Sequence, residues 1–180
     1  MIRSHAAKLT LAIPLLLLVG CATATPRAAT EPLGAADLRD ANGAERGKAE
    51  IGRDGAGLLL TVRVAGMVPN GAHGAHLHSV GTCQAPDFTS AGPHLNPGAQ
   101  QHGSNNPAGS HLGDLPNLEV GPAGSGTVTV RLPGDPDTLL AQLFDADETA
   151  VVVHAKADDY RTDPSGNSGA RIACGVLIRS

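Results

Sequence analysis

Apolar and polar residues alternate most cleanly from Leu58 to Val64. There Leu-Leu-Leu-Thr-Val-Arg-Val, rich in β-branched side chains, predicts a strand with one face turned inward. Upstream, Leu38-Arg-Asp-Ala-Asn-Gly43 predicts a short strand ending in an Asn-Gly turn. Ala44 to Gly52 is its return strand, closed by Arg53-Asp-Gly55. Three strands so closely spaced imply an antiparallel meander. Further along, Gly71 to His78, Leu118 to Val120, Thr127 to Leu132, Ala150 to His154 and Arg171 to Ile178 each carry a strand pattern. Pro122-Ala-Gly-Ser-Gly126 is the turn of a second hairpin, and Asp135 to Asp145 can take a short helical turn. With no internal repeat and no long helical period, the pattern predicts an all-β domain of eight strands, a sandwich or flattened barrel.

Two stretches have no period. Gly81 to Asn117 is rich in Gly, Pro and Asn, and a second loop runs from Asp158 to Gly169. Structureless segments of the first one's length inside a small domain are functional or disordered. Four potential metal ligands within it favour function.

The first twenty residues stand apart from the fold. Arg3 and Lys8 precede an apolar run from Leu9 to Val19, too short to span a bilayer, and Leu18-Val19-Gly20-Cys21 follows. The arrangement resembles a bacterial lipoprotein signal with Cys21 as the acylated residue; a plain secretory signal cut near Ala22 to Ala24 is the alternative. Either predicts export, to the periplasm or cell surface, and the first adds a membrane anchor. Residues 1–20 then form the leader, 21–35 a flexible Ala, Thr and Pro tether, and 36–180 one domain.

The chain has 180 residues, with 13 Lys+Arg against 17 Asp+Glu. Removing the leader takes two basic residues and no acidic ones, so the exported part is more acidic still. With no basic run to meet phosphates, nucleic acid is excluded as a partner. Aromatic residues make up only 2%, which leaves the core to Val, Leu, Ile and Ala. If Cys21 carries lipid, Cys83 and Cys174 remain. An oxidising compartment permits them to pair, two separate thiols being the alternative.

Histidine placement carries the chemistry. In a strand, His76 and His78 point the same way and can grip one ion, with Leu77 turned to the other face. The long loop adds His94, His102 and His111, together with Asp114. Three imidazoles and a carboxylate complete a four-coordinate shell for zinc and would give the loop a reason to be ordered.

Six blocks make the chain resemble an exported bacterial copper,zinc superoxide dismutase: Gly71-Ala-His-Gly-Ala-His-Leu-His78, Gly92-Pro-His-Leu-Asn-Pro97, His102-Gly103, His111-Leu-Gly-Asp-Leu115, Val152-Val-His-Ala-Lys-Ala-Asp-Asp159 and Gly169-Ala-Arg-Ile-Ala-Cys-Gly-Val176. The match runs from about Ala36 to the C-terminus. It implies an eight-stranded antiparallel Greek-key sandwich or flattened barrel with two long functional loops, superoxide as substrate, and one copper and one zinc per subunit. By the resemblance, copper is held by His76, His78, His94 and His154, and zinc by His94, His102, His111 and Asp114. His94 bridges the two ions and passes a proton to the product peroxide. Asp158 orients a ligand of each metal, Arg171 holds the anion over copper, and Cys83 and Cys174 form an intramolecular disulfide. His73 belongs to the motif without being a ligand, provided the strand bends after it.

Some features depart from the family. Ala75 stands where a bulkier residue is usual and opens volume on the core side. Scarce aromatics weaken any apolar dimer patch, so a monomer and a homodimer both remain open. Lys156 and Arg161 flank the second loop and are candidates for a positive funnel towards Arg171. An exported copper- and zinc-binding protein without catalysis is the competing reading, disfavoured because storage needs neither Arg171 nor a bridging His94.

Overall fold

The computed structural model describes residues 32–55, 57–67 and 70–180. The expected leader, Cys21 and most of the tether lie outside them. The meander is present as β1 (Gly34–Arg39), β2 (Glu45–Asp54) and β3 (Gly57–Val64), all antiparallel. In β3, Leu58, Leu60, Val62 and Val64 are buried while Arg63 is exposed and pairs with Glu50 across the sheet, as the alternation predicts.

The first strand is displaced from its expected limits. It begins at Gly34, inside the segment assigned to the tether, because Gly34 and Ala35 pair with Ile51 and Glu50 on one side and with Arg179 and Ile178 on the other. Small side chains hide this pairing from the hydrophobic pattern. It ends at Arg39 rather than at the Asn-Gly turn. There the Asp40 carboxylate accepts from the amides of Asn42 and Ala44 at 2.9 and 3.0 Å and closes the turn early.

The histidine strand is two strands, β4 (Ala72–His73) and β5 (Ala75–His78), broken at Gly74. Among the described residues this break turns the expected eight strands into nine, the others being β6 (Leu118–Glu119), β7 (Gly126–Leu132), β8 (Thr149–His154) and β9 (Arg171–Arg179). The main sheet has the order β5-β8-β9-β1-β2-β3-β7, and β4 pairs with β6 in a second, two-stranded sheet. β9 returns beside β1 of the meander, which is the Greek-key arrangement. Because β4 leads into β5 and β6 is bridged to β7 through Val120 and Gly126, the small sheet joins the two edges of the large one. The result is a curled antiparallel sheet in the form of a flattened half-barrel.

The ambiguous segment 135–145 contains one helix, α1 (Pro136–Leu143). Asp135 caps it by accepting from the Thr138 amide, Pro136 opens it, and Leu139, Leu140 and Leu143 turn inward.

The core fills the barrel with Leu38, Ile51, Leu58, Leu60, Leu77 and Leu118 among its largest members, and Ala75 is fully buried within it. A second apolar cluster lies on the outside of β8 and β9, where Phe88 and Ala91 of the first loop cover Ala150, Val152 and Cys174. All of β8 is therefore buried, which accounts for its unbroken apolar run.

Candidate metal centre

Register decides which face the histidines occupy. His76 lies opposite Val152 and His78 opposite Ala150, so both point outward from the barrel, while Leu77 pairs with Val151 inside. β5 is an edge strand, and the first long loop covers it. Leu95 N–H donates to Leu77 O at 2.8 Å, Leu77 N–H to Gly113 O at 2.9 Å, and Gly113 N–H to Leu95 O at 2.9 Å. These bonds set His94 beside His78 and Asp114 beside His76. A bulge between Val153 and His154 brings His154 to the same place from the end of β8.

The ring nitrogens that touch acceptors fix the tautomers. His78 Nδ1–H donates to Gly92 O at 2.8 Å, His154 Nδ1–H to Gly169 O at 3.0 Å, and His76 Nε2–H to the Asp158 carboxylate at 2.6 Å. Carbonyls and carboxylates only accept, so the opposite nitrogens keep their lone pairs. Those nitrogens, His76 Nδ1, His78 Nε2 and His154 Nε2, are buried and lack hydrogen-bond partners, as is His94 Nε2. The ligand atoms of the four residues lie within 4.8 Å of one another. Buried polar atoms left unpaired are costly; four converging on one point fit a metal ion.

A second cluster surrounds Asp114 Oδ1, which lies 2.8 Å from His94 Nδ1, 3.0 Å from His102 Nδ1 and 3.1 Å from His111 Nδ1. Asp114 Oδ2 accepts from the amides of Gly103 and His111. The His102 contact lacks the direction of a hydrogen bond, leaving that nitrogen also unpaired. His94 thus turns one ring nitrogen to each cluster. Asp158 joins them from behind, with Oδ2 on His76 and Oδ1 3.0 Å from His102 Nε2.

Burial makes the site suitable for ligation. It pushes His78 down to about 2, His154 to about 3 and His94 to about 4, from an ordinary 6.5, so all three are neutral and ready to coordinate. Burial alone would raise Asp114, but hydrogen bonds from His94 and the Gly103 amide outweigh it and hold the carboxyl below its usual range. Asp158 is held low in the same way by His76 and His102.

Arg171 sits beside the four-histidine cluster, held by two carbonyls: Nη1 donates to Phe88 O at 2.7 Å and Nη2 to Gly92 O at 2.8 Å. With Asp87, Thr89 and Gly169 it lines an open cavity of about 390 Å³. The segment carrying these carbonyls is tied to β9 by a disulfide between Cys83 and Cys174, with Cα atoms 5.7 Å apart. Lys156 lays its stem along Gly169 at the rim of this cavity, whereas Arg161 follows Tyr160, whose carbonyl abuts Gly103 at the other cluster.

His73 joins neither cluster. It is buried on β4 and its Nδ1 donates to His154 O at 2.8 Å. The break at Gly74, where a side chain would meet Ser168 and His76, turns it away.

Three residues that the sequence pattern does not single out support the site. Asn117 holds the backbone of Asp158 on both sides, accepting from its amide at 2.8 Å and donating to its carbonyl at 2.9 Å. Gly166, at φ +63°, leaves room for the Asp158 carboxylate, which any side chain there would displace. Asp163 accepts from the His102 amide at 2.6 Å. All three stand far from their partners or in unpatterned loop, and the only signal in the sequence is the crowding of polar residues around Asp158.

The chain is similar to known proteins of one family. The family described as copper/zinc superoxide dismutase matches residues 45–177. Superoxide dismutase-like protein YojM of Bacillus subtilis is 45% identical over 130 residues, covering 69% of this chain and 65% of that protein. Superoxide dismutase [Cu-Zn] 1 of Aquifex aeolicus is 40% identical over 147 residues, covering 79% of this chain and 85% of its own. The crystal structure of a SOD-like protein from Bacillus subtilis superimposes with a TM-score of 0.74 at 41% identity, covering 80% of this chain and 97% of the other.

Proposed function

Because this chain belongs to the copper/zinc superoxide dismutase family, with copper and zinc as its cofactors and the dismutation of superoxide as its reaction, we propose which of its residues carry that reaction out. His76, His78, His94 and His154 hold copper, and His94, His102, His111 and Asp114 hold zinc. The observation that carries the assignment is the convergence of four buried, unpartnered imidazole nitrogens, each selected by what the other side of its ring touches.

The overall change takes two superoxide anions and two protons to one dioxygen and one hydrogen peroxide. Copper held there would supply the one-electron exchange, and zinc would supply a fixed positive charge. Arg171 presents a guanidinium to a small anion in the cavity; its two backbone bonds leave N–H groups free for charge-assisted contacts. His94 Nε2 is the group placed to take up a proton and give it to the reduced product. Its Nδ1 stays anchored among Asp114, His102 and His111, so the ring does not swing away. Asp158 fixes the His76 and His102 rings by accepting from each.

Export with a lipid on Cys21, at a periplasmic or cell-surface membrane, is the location we assign. The lipobox-like Leu18-Val-Gly-Cys21 supports it, as does a disulfide that needs an oxidising compartment. Ile178 is the exposed large apolar side chain among the described residues, which supports a monomer rather than a dimer built on an apolar patch.

The test compares the domain loaded with copper and zinc against His78→Ala, reading metal content and superoxide turnover together. The assignment expects two metals per chain in the parent, and loss of copper and of turnover by about 100-fold or more in the variant. Two bound metals with no turnover in the parent would favour the storage reading instead.

A further inference from the structure

Two openings lie near the clusters, one beside Arg171 and one over His94 and His111. Arg171, which shares the Gly92 carbonyl with His78, lines one cavity with Asp87, Thr89 and Gly169. The Asp114 cluster borders a second, larger groove of about 560 Å³, lined by His94, His111, Asp163 and Pro164 together with Gln142 of α1 and Asp145 just after it. His111 is the most exposed histidine of its cluster at 8%, and its ring forms part of the groove floor.

Asp163 stands over that floor. One oxygen accepts from the His102 amide at 2.6 Å, which fixes the carboxylate, and the same oxygen lies 4.0 Å from His111 Nε2. When His111 coordinates through Nδ1, the proton of a neutral ring is on Nε2, facing Asp163. A carboxylate behind a metal-bound imidazole N–H makes the ring a stronger donor and holds its orientation. Asp158 already does this for His76 and His102. His111 makes no such contact with Asp158, and the carboxylate next to its Nε2 is that of Asp163.

We propose that Asp163 is a positioning residue for the zinc centre: its charge steadies His111, and the groove it borders is the path by which zinc is released and taken up. The proposal rests on the zinc assignment made above. It distinguishes the two metals through Asp163, which faces His111 and His102, assigned to zinc alone, whereas His94, shared by both clusters, also lines the groove.

Asp163→Asn and Asp163→Ala discriminate a charge effect from a loop tie. Asn keeps the oxygen that accepts from the His102 amide and loses only the charge, whereas Ala loses both. The readout is transfer of zinc from the fully loaded protein to a chromophoric chelator, with the visible band of the bound copper followed in the same sample. Asp163→Asn is expected to release zinc about tenfold faster than the parent, at the lower end of the usual effect of such outer partners, with the copper band unmoved. Normal zinc release from Asp163→Asn with faster release only from Asp163→Ala would overturn the proposal, leaving a simple tie between loops. So would equal acceleration of copper and zinc loss, which signifies general opening. A parent protein that takes up copper but no zinc would overturn the zinc assignment itself, an outcome visible before any variant is made.

Discussion

Asp158 lies with its carboxylate 2.6 Å from Nε2 of His76, and both side chains are completely buried. A strand residue and a loop residue 82 positions later are thereby locked together, and the free lone pair of His76 is aimed at its three histidine neighbours. The same carboxylate reaches His102, so one acid sets the tautomer of a ring in each cluster.

Replacing Asp158 with Asn should therefore weaken both metal sites at once. An amide can donate towards His76 or His102, which favours the tautomer that blocks ligation. The expected loss is about 10- to 100-fold in affinity for each metal, measured by competition with chelators of known strength. A loss confined to one metal would argue against a shared role.

The disulfide should matter to stability and to the substrate cavity together. It joins residues 91 apart, and the chain-entropy account of such a loop gives on the order of 4 to 5 kcal/mol. Cys174→Ser with Cys83→Ser should lower the urea midpoint accordingly. It should also slow turnover, because the loop that supplies Phe88 O and Gly92 O to Arg171 loses its tie to β9.

Acid should destabilise the metal-free protein. His78, His154 and His94 have folded values of about 2, 3 and 4 against an unfolded 6.5, so the fold favours their neutral forms. Below 6.5 the unfolded chain binds more protons than the folded one, and stability falls as pH falls towards those lower values; above 6.5 these groups give no slope. Urea midpoints of the metal-free domain measured between about pH 7.5 and about pH 5 should decline with acidification. A flat profile would contradict the burial of these rings.

Of the two candidate steering cations, Lys156 runs along Gly169, which lines the Arg171 cavity, whereas Arg161 follows Tyr160 beside Gly103. Lys156→Gln should lower kcat/KM by about two- to fivefold at low ionic strength, and the difference should vanish as salt shortens the screening length. Arg161→Gln should leave the salt dependence unchanged. Equal effects from both would restore the two-cation funnel.

Where the chain has a period, the sequence was a sufficient guide. β3 and the apolar run 150–153 of β8 follow from alternation and its absence, and the common face of His76 and His78 follows from the two-residue repeat of a strand. The limits of β1 were not legible, since Gly34 and Ala35 offer no side-chain signal and their place depends on neighbours in β2 and β9. Nor was the break at Gly74, which reflects crowding by Ser168 and His76 from elsewhere in the chain.

The sequence by itself determined the stock of candidate ligands, the family they resemble and the local pitch that pairs two of them. Only the tertiary structure decided which nitrogen of each ring is free, because that depends on carbonyls and carboxylates at Gly92, Gly169 and Asp158, brought in by loops with no local preference. It likewise decided the parts of Asn117 and Asp163. A loop without period takes its shape from the strand edge and the buried acid it closes upon, and those contacts exist only once the chain has folded around them.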